Sequence, residues 1–183
     1  MVERTTDMEA VARIFNHPKV YEWISDDTSV PPFIPDPAQF YLMNAEKTGV
    51  VRLDHLNGVT CMVHIGTLPE LWGRATSFVK ECRDWAFENT RYTKFVSLAP
   101  EYNRVAILFG KRCGFKIEGK LTKSFLKNWK LHDQIVFGLS KYDKEAARNI
   151  LAAGHAVSAC GEPVQSGRSM KQEPAEASQP ISG

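Results

Sequence analysis

A histidine and a glycine-containing turn lie close together in HIGTLPELWGRAT, residues 64–76. An imidazole changes its charge near neutral pH, so His64 is a candidate general base that takes a proton during catalysis. Gly73 comes just before a helical pattern, and the unpaired amides at the start of a helix attract anions. The stretch therefore predicts proton transfer beside an anion-binding turn, whose candidate residues are Leu71, Trp72, Gly73, Arg74, Ala75 and Thr76.

Both features also have plainer interpretations. His64 fits a histidine held by hydrogen bonds in the sheet, and the turn fits an ordinary connection between a strand and a helix. Asp26, Asp27 and His132 are weaker candidates for the base, because paired aspartates more often end or cap a helix. The cysteines form no CxxC pair and no zinc spacing with a histidine, so we expect no metal site.

The elements that must position these residues follow from the hydrophobic pattern. Residues 58–66 are a predicted strand that ends at the turn, and residues 74–89 form an amphipathic helix with apolar residues three and four apart. Two more strands precede them, at residues 39–45 and 48–56, with Asn57-Gly58 as a hairpin turn.

Further elements complete the pattern on both sides of this unit. They are a helix over 8–24 that Pro18 interrupts, a proline-rich loop over 29–37 that crosses the molecule or walls an active site, a strand over 94–100, a helix over 103–113, and a hairpin over 115–141 that turns near Asn128. Asp7 and Asn103 are the residues expected to cap the two helices. This order predicts an α/β fold in which a mixed central sheet is flanked by helices.

Composition restricts the class of protein. The chain has 183 residues, 43% of them hydrophobic, with 23 basic and 21 acidic side chains and a net charge of +2. This balance gives no support to a protein that wraps duplex DNA by charge. No apolar run reaches the roughly 20 residues of a membrane helix, and the first ten residues lack the apolar segment of a secretory signal. Cys61, Cys82 and Cys113 lie in apolar patterns, which predicts buried, reduced thiols and a reducing cytosol.

The end of the chain differs in character from the rest. We expect one domain over residues 1–143, followed by a short helix and a disordered tail over 144–183. The sequence ACGEPVQSGRSMKQEPAEASQPISG is rich in Ser, Pro, Gly, Gln and Glu, and has too few large apolar residues to offset the entropy lost on ordering.

The order and spacing of these motifs resemble the GNAT family, the acetyl-CoA-dependent N-acetyltransferases. That family has a strand, then Q/R-x-x-G-x-G/A, a long helix, a strand, N-x-x-A/S, and G-F opening the next strand. The positions that carry the resemblance are Glu70, Gly73, Ala75, Asn103, Ala106 and Gly114-Phe115. Glu118, Gly119 and Asp133 are similar to the branch that acetylates N-terminal amines of ribosomal proteins. The resemblance covers about residues 6–141.

The resemblance implies a fold, a reaction and a set of binding residues. The implied reaction moves an acetyl group from acetyl-CoA to a protein N-terminal amine or lysine. The amides of residues 71–76 are implied to hold the pyrophosphate, main-chain N–H groups near Ile65 and Thr67 the thioester carbonyl, and Asn103 part of CoA. Two positions depart from the family: Glu70 replaces Gln or Arg, and Gly110 replaces a tyrosine that many members use to protonate the thiolate.

A second resemblance leads to an alternative function. The segments NHPKVYEWISDD and VHIGTLPELWGRA are similar to GNAT-like proteins of tailed bacteriophages, through His17-Pro18, Asp26-Asp27, Val63-His64 and Leu68-Pro69. Some members of that group are head-assembly or internal virion proteins. The alternative implied is a phage protein that keeps the fold without catalysis, has other virion proteins as partners, and is found in the host cytoplasm or the virion.

The basic stretch KRCGFKIEGKLTKSFLKNWK, residues 111–130, raises a third possibility, a nucleic-acid-binding module. In a hairpin, however, charges on one face and aromatic residues on the other are the usual pattern of a solvated surface. We therefore expect no nucleic-acid partner.

Overall fold

A sheet of seven strands forms the centre of the molecule, as a computed structural model that describes residues 1–143 shows. The strands are β1 (Val2–Arg4), β2 (Phe40–Asn44), β3 (Gly49–His55), β4 (Thr60–Thr67), β5 (Lys94–Pro100), β6 (Lys116–Lys127) and β7 (Lys130–Ser140). The helices are α1 (Met8–Phe15), α2 (Pro18–Ile24), α3 (Ala75–Asn89) and α4 (Arg104–Arg112), with a 3-10 helix at Pro69–Arg74. The predicted helix and tail over 144–183 lie outside the described residues.

The spatial order of the strands is β1-β2-β3-β4-β5-β7-β6. Neighbouring strands are antiparallel, except for β4 and β5, which run parallel. A parallel pair needs a crossover connection, and α3 supplies it here. The predicted mixed α/β sheet flanked by helices is thereby confirmed.

One face of the sheet packs against α3. The helix buries an apolar stripe spaced three and four residues apart, made of Ala75, Phe78, Val79, Cys82, Ala86 and Phe87. This stripe contacts alternate residues of the strands, among them Val51, Cys61 and Phe95. Helix α4 lies on the same face with partly buried contacts and no fully buried residue.

The opposite face packs against α1 and the proline-rich loop. The four apolar residues that predicted the first helix, Ala10, Val11, Ile14 and Phe15, are all buried. They meet Tyr41, Met43 and Val50 of the sheet. A Cβ on Gly66 would lie 3.0 Å from Phe15 and 3.1 Å from Ile14, so β4 passes directly beneath α1 on this face.

The predicted helix boundaries are confirmed where a side chain fixes them. The carboxylate of Asp7 accepts a hydrogen bond from the Ala10 amide at 3.0 Å, and Asn103 Oδ1 accepts one from the Ala106 amide at 3.0 Å. Gly114, with φ of 98°, follows α4 in a left-handed conformation that favours glycine. Pro18 begins α2, as its fixed φ favours.

The structure differs from the sequence prediction in three local features. Strand β1 was not predicted, since three residues are too few to show an alternating pattern. Residues 69–74, predicted as a short polar turn, form a 3-10 helix that leads directly into α3. Helix α3 consequently begins at Ala75, one residue later than predicted.

The three described cysteines are buried and free, as predicted. Burial raises the pKa of Cys61 to about 12 and that of Cys113 to about 11, so both remain protonated thiols at neutral pH. No helix among residues 1–143 is both long and apolar enough to cross a membrane.

Candidate functional site

Strands β4 and β5 separate part of the way along their length. They pair only from Thr60 to Met62 on β4 and from Lys94 to Val96 on β5, although both strands continue for four or five more residues. The hydroxyl of Ser97 donates a 3.0 Å hydrogen bond to the carbonyl of Val63, the first residue of β4 beyond the pairing. A fork therefore opens between residues 63–67 and 97–100.

The fork leaves main-chain groups of β4 without a strand partner. Because the Val63 carbonyl faces β5, the alternation of a strand places the N–H and C=O groups of Ile65 and Thr67 on the same side. The Thr67 carbonyl accepts a 3.2 Å hydrogen bond from Nε1 of Trp72. The family resemblance implied that main-chain N–H groups near Ile65 and Thr67 hold the thioester carbonyl, and both residues lie in the part of β4 that is not paired with β5.

His64 lies beside the fork on the face of the sheet that α1 covers. Its Nε2 is 3.0 Å from Oδ2 of Asp54, and this contact lowers the pKa of the Asp54 carboxyl. No described residue hydrogen-bonds to the other ring nitrogen, Nδ1. The His64 side chain is 37% exposed, so Nδ1 is the ring nitrogen available for proton transfer.

A row of polar side chains crosses three strands at this level. Tyr41 on β2 is paired with Arg52 on β3, and Arg52 is paired with His64 on β4. Asp54 lies two residues further along β3, on the same face as Arg52. The guanidinium of Arg52 donates a 2.7 Å hydrogen bond to Oδ2 of Asp54, so that one carboxylate oxygen faces two cationic or protonatable groups.

The electrostatics of this row keep Asp54 ionised. Burial by itself raises the pKa of the carboxyl, but His64 and Arg52 more than compensate, and the pKa of Asp54 lies below its usual value. Burial raises the pKa of Tyr41, with the charge of Arg52 acting in the opposite direction. Tyr41 is therefore a neutral phenol at physiological pH.

The proline-rich loop lies over this row of side chains. The side-chain amide of Asn16 donates to the carbonyl of Phe33 at 2.8 Å, and its Oδ1 accepts from the Phe33 amide at 2.6 Å. The Phe33 ring packs on Phe15 and lies 5.8 Å from the Arg52 guanidinium. One asparagine at the end of α1 thus fixes the loop above the charged pair.

The predicted anion-binding turn has a different local structure from the one expected. In the 3-10 helix, the Leu71 amide donates to the Leu68 carbonyl at 2.9 Å, and the Ala75 amide donates to the Trp72 carbonyl. The candidate amides of Leu71 and Ala75 are therefore used inside the protein, and the i→i+3 bonds of the 3-10 helix use further amides of this segment. Gly73 has open space around its α-carbon, which lets a ligand approach that part of the main chain.

The side chains of this segment point in several directions. A hydrogen bond from its own backbone amide is the main cause of the lowered pKa of Glu46, and the charge of Arg74 adds to it. Arg74 lines a surface cavity of about 170 Å³ with Glu46 and Glu81, so its charge is directed towards the β2–β3 turn. The Trp72 ring is exposed and has Lys19 of α2 5.7 Å from its centre. The hydroxyl of Thr76 lowers the pKa of the Cys113 thiol against the larger effect of burial.

The other wall of the fork contains the β5–α4 loop. Tyr102 packs edge-on against His132 with ring centres 4.6 Å apart, so this candidate histidine lies away from His64 on a different strand. The Asp27 carboxylate accepts hydrogen bonds from the Asn128 amide at 3.0 Å and the Trp129 amide at 2.7 Å. Asp27 therefore joins the loop after α2 to the tip of the β6–β7 hairpin.

Asp26 stabilises the turn in which it lies, because its carboxylate accepts hydrogen bonds from the amide of Thr28 and from the hydroxyls of Thr28 and Ser29.

Asn103 is buried as the cap of α4. Gly110, on α4, faces Phe137, and a Cβ there would lie 3.5 Å from the ring. No hydroxyl exists at this position to protonate a thiolate.

Several lysines of the basic hairpin form ion pairs or hydrogen bonds within the protein. Lys116 pairs with Asp143 at 2.6 Å, Lys120 pairs with Asp133 at 2.5 Å, and Lys127 donates to the Ser25 carbonyl at 2.9 Å. These local contacts agree with the interpretation of the hairpin as a solvated face.

Arg52, Asp54 and Tyr41 were not among the predicted site residues. A signal for two of them was present, since VRLDHL alternates charged with apolar residues and so places Arg52 and Asp54 on one face of a strand. Their approach to His64 depends on the pairing of β3 with β4, which the sequence pattern alone does not specify.

Comparison with known proteins supports the fold. No family model matches the sequence. The chain aligns with the spermidine N-acetyltransferase of Vibrio cholerae in complex with CoA and spermine at a TM-score of 0.60 and 17% identity, over 76% of this chain and 95% of that one. It aligns with the ribosomal-protein-S5-alanine acetyltransferase of Vibrio fischeri at a TM-score of 0.61 and 18% identity, over 78% and 93%.

Two further similarities have different extents. The protein smu.2055 of Streptococcus mutans UA159 aligns at a TM-score of 0.61 and 19% identity, over 77% of this chain and 99% of that one. Over 59 residues, 32% of this chain, the sequence is 52% identical to InsQ of Escherichia coli (strain K12), whose name describes it as an RNA-guided DNA endonuclease. The match spans 13% of the length of InsQ.

The structural similarities extend over most of the described residues at low identity, so they report on architecture. The parallel β4–β5 pair, the crossover helix α3 and the C-terminal hairpin occur in the order that the GNAT resemblance implied. The chain has the fold of the GNAT acetyltransferases.

Proposed function

We propose that the protein is an acetyl-CoA-dependent N-acetyltransferase that acts on a protein N-terminal amine or lysine. The observation that carries this proposal is the fork between β4 and β5, with the histidine–aspartate pair directly beside it. A fork exposes main-chain donors in a fixed orientation, and His64 on the adjacent face provides an imidazole nitrogen that can accept the proton of the amine.

In the proposed reaction, the amine nitrogen attacks the thioester carbonyl of acetyl-CoA. The Ile65 N–H donates a hydrogen bond to the carbonyl oxygen as it gains negative charge. The new C–N bond forms, the C–S bond breaks, and the proton lost by the amine goes to Nδ1 of His64. The thiolate leaves and takes a proton from water, because Gly110 provides no acid.

The remaining contacts proposed for acetyl-CoA are those that the family resemblance implied. The main chain of Trp72, Gly73, Arg74 and Thr76 is the candidate for the pyrophosphate contact. The open space at Gly73 allows such an approach. Asn103 is proposed as a secondary contact to CoA from its position at the start of α4.

Calorimetry and an acetylation assay test the proposal together. CoA and acetyl-CoA are titrated into the purified protein, and release of CoA thiol is followed with peptide and polyamine acceptors. We expect micromolar binding, and for His64→Gln a fall in kcat of about 100-fold with unchanged CoA affinity. His55→Gln, at an exposed position near the end of β3, is the matched control. Absence of binding at millimolar CoA would refute the proposal.

The alternative proposal is a phage head-assembly or internal virion protein that keeps the fold without the reaction. Two observations favour it. The Leu71 and Ala75 amides donate to carbonyls of the protein, and the charge of Arg74 acts on Glu46, so these groups are not directed at a pyrophosphate. Its partners would be other virion proteins, in the host cytoplasm or the particle. Mass spectrometry of purified particles tests it, and a normal particle yield after deletion of the gene would count against it.

A further inference from the structure

Three side chains around His64 each contain a buried polar atom with no hydrogen-bond partner among the described residues. These atoms are the Tyr41 hydroxyl, Arg52 Nε and Asp54 Oδ1. Buried polar groups in native proteins are almost always hydrogen-bonded, so three unpartnered atoms in one place indicate a missing partner. The cross-strand register puts their side chains side by side on one face of the sheet.

The solvent exposure of these side chains decreases from one end of the site to the other. The exposed fraction is 37% for the His64 side chain, 26% for Asp54 and 22% for Arg52, while Tyr41 as a whole is 1% exposed. The site therefore opens at His64, next to the fork, and closes at Tyr41. The backbone of Asp36 approaches the Tyr41 hydroxyl at the closed end without the geometry of a hydrogen bond.

The unpartnered atoms call for a ligand with two kinds of group. Asp54 Oδ1 can only accept, so it requires an N–H or O–H donor such as an ammonium. Arg52 Nε can only donate, so it requires an acceptor such as a carbonyl oxygen. These two residues are separated by one position on β3 and joined through Oδ2 of Asp54, so the donor and the acceptor of the ligand must be close together.

This requirement distinguishes between classes of amine. A polyamine contains donors only, and the ammonium of a lysine side chain is separated from its nearest carbonyl by a long methylene chain. An N-terminal α-amine has the carbonyl oxygen of its own residue only two carbon atoms away. We infer that the Arg52–Asp54–His64 site binds the N-terminal residue of a polypeptide, with its amine at Asp54 and His64 and its first carbonyl at Arg52.

The inference rests on the proposed function and makes it more specific. The α-amine held at Asp54 attacks the thioester at the fork as the free amine, and the proton released as the C–N bond forms goes to His64, with the same changes in bonds as above. A lysine or a polyamine satisfies Asp54 and leaves Arg52 Nε unpartnered, and an unpaired buried donor reduces binding.

Three acceptors at equal concentration test the selectivity. The first is a peptide with a free N-terminus and no lysine, the second is the same peptide with an acetylated N-terminus and one internal lysine, and the third is spermidine. We expect kcat/KM for the first to exceed the others by 100-fold or more. Equal or faster acetylation of the lysine peptide or spermidine would overturn the inference and leave the acetyltransferase proposal intact.

A substitution at Arg52 tests the contact to the carbonyl. Arg52→Lys keeps the positive charge beside Asp54 and removes the Nε donor, so we expect a tenfold higher KM for the free N-terminal peptide, with kcat and CoA affinity within twofold. Tyr92→Phe changes a residue outside the site, where Tyr92 packs near His55, and is the control for general effects of a substitution on folding. An unchanged KM would indicate that water satisfies Arg52 and would overturn the inference.

Binding without turnover separates the two proposals. The free N-terminal peptide and its N-acetylated form are titrated into the protein loaded with CoA, and we expect only the first to bind. Binding of both or of neither to a protein that binds CoA would overturn the inference. Failure to bind CoA would instead refute the proposed function.

Discussion

The Ser97 hydroxyl is 3.0 Å from the Val63 carbonyl and donates a hydrogen bond to it at the point where β4 and β5 part. The last paired residues are Met62 and Val96, so this bond replaces the next main-chain contact that a continuous parallel pair would make. A side chain on β5 thus satisfies the first free carbonyl of β4 and fixes where the fork begins.

Replacement of Ser97 by alanine is expected to loosen the fork. The variant leaves the partly buried Val63 carbonyl unpaired, which costs about 1–2 kcal/mol in the free energy of unfolding. Urea denaturation measures this loss, and Ser97→Thr, which retains the hydroxyl, is the matched control. Equal loss of stability in both variants would show that packing, and not the hydrogen bond, is what Ser97 contributes.

The elements that were predicted correctly have their determinants in neighbouring residues. The stripe of α3, the caps Asp7 and Asn103, and Gly114 after α4 are all set by spacing or by one side chain acting on the nearby backbone. The role of the main-chain N–H groups near Ile65 was implied by the family resemblance alone, since periodicity does not reveal where two strands part.

The features that were missed depend on contacts between distant parts of the chain. Arg52 and His64 are twelve positions apart and meet only through the register of β3 with β4. Residues 69–74 look like a loop because glycine and proline disfavour a regular helix, yet Pro69 is compatible with the first turn of a 3-10 helix. Burial of Leu71 against the core provides the packing that stabilises this turn.

Gly73 provides a direct test of the proposed pyrophosphate contact. A Cβ at this position meets no atom within 4 Å, and its φ is not left-handed, so Gly73→Leu should change the free energy of unfolding by no more than about 0.5 kcal/mol. If the ligand approaches the main chain here, the side chain blocks it, and calorimetry should show CoA affinity at least tenfold weaker. An affinity within twofold of the unmodified protein would exclude a contact at Gly73.

Gly49 gives the contrasting case for that experiment. A Cβ there would lie 2.5 Å from Cδ2 of Leu71 and 2.7 Å from Phe78, inside the core beneath the 3-10 helix. Gly49→Ala should therefore destabilise the protein by about 1–3 kcal/mol through overpacking. The pair of variants separates a loss of binding caused by blocked access from one caused by a disturbed fold.

The tip of the β6–β7 hairpin is expected to be strained. Asn128 and Trp129 have φ values of 53° and 60°, and an aromatic residue rarely adopts this left-handed conformation. Trp129 is 89% exposed, so removal of its indole costs little packing. Trp129→Gly should therefore be more stable than Trp129→Ala by about 1 kcal/mol in urea denaturation. Equal stability would indicate that the two hydrogen bonds to Asp27 already determine this conformation at no cost.

Acid should weaken the protein through Asp54. Its pKa in the folded state lies below the usual 3.8, because His64 and Arg52 outweigh the effect of burial. Between the folded and unfolded pKa values the unfolded chain binds more protons, so stability rises with pH in that window. The stabilisation is complete above about pH 5 and is lost as the pH falls through the folded pKa.

The variant Asp54→Asn isolates this contribution. Urea denaturation of both proteins between pH 2.5 and 7, on the order of one measurement per half unit, gives the difference in their free energies of unfolding. We expect this difference to be constant at neutral pH and to shrink as the pH falls below about 4, because protonated Asp54 loses its attraction to Arg52 and His64. A difference that does not depend on pH would mean that the carboxylate contributes shape and hydrogen bonding without its charge. In that case the charge of Asp54 would not be coupled to Arg52 and His64, and the proposed role of His64 as the base would require a different partner.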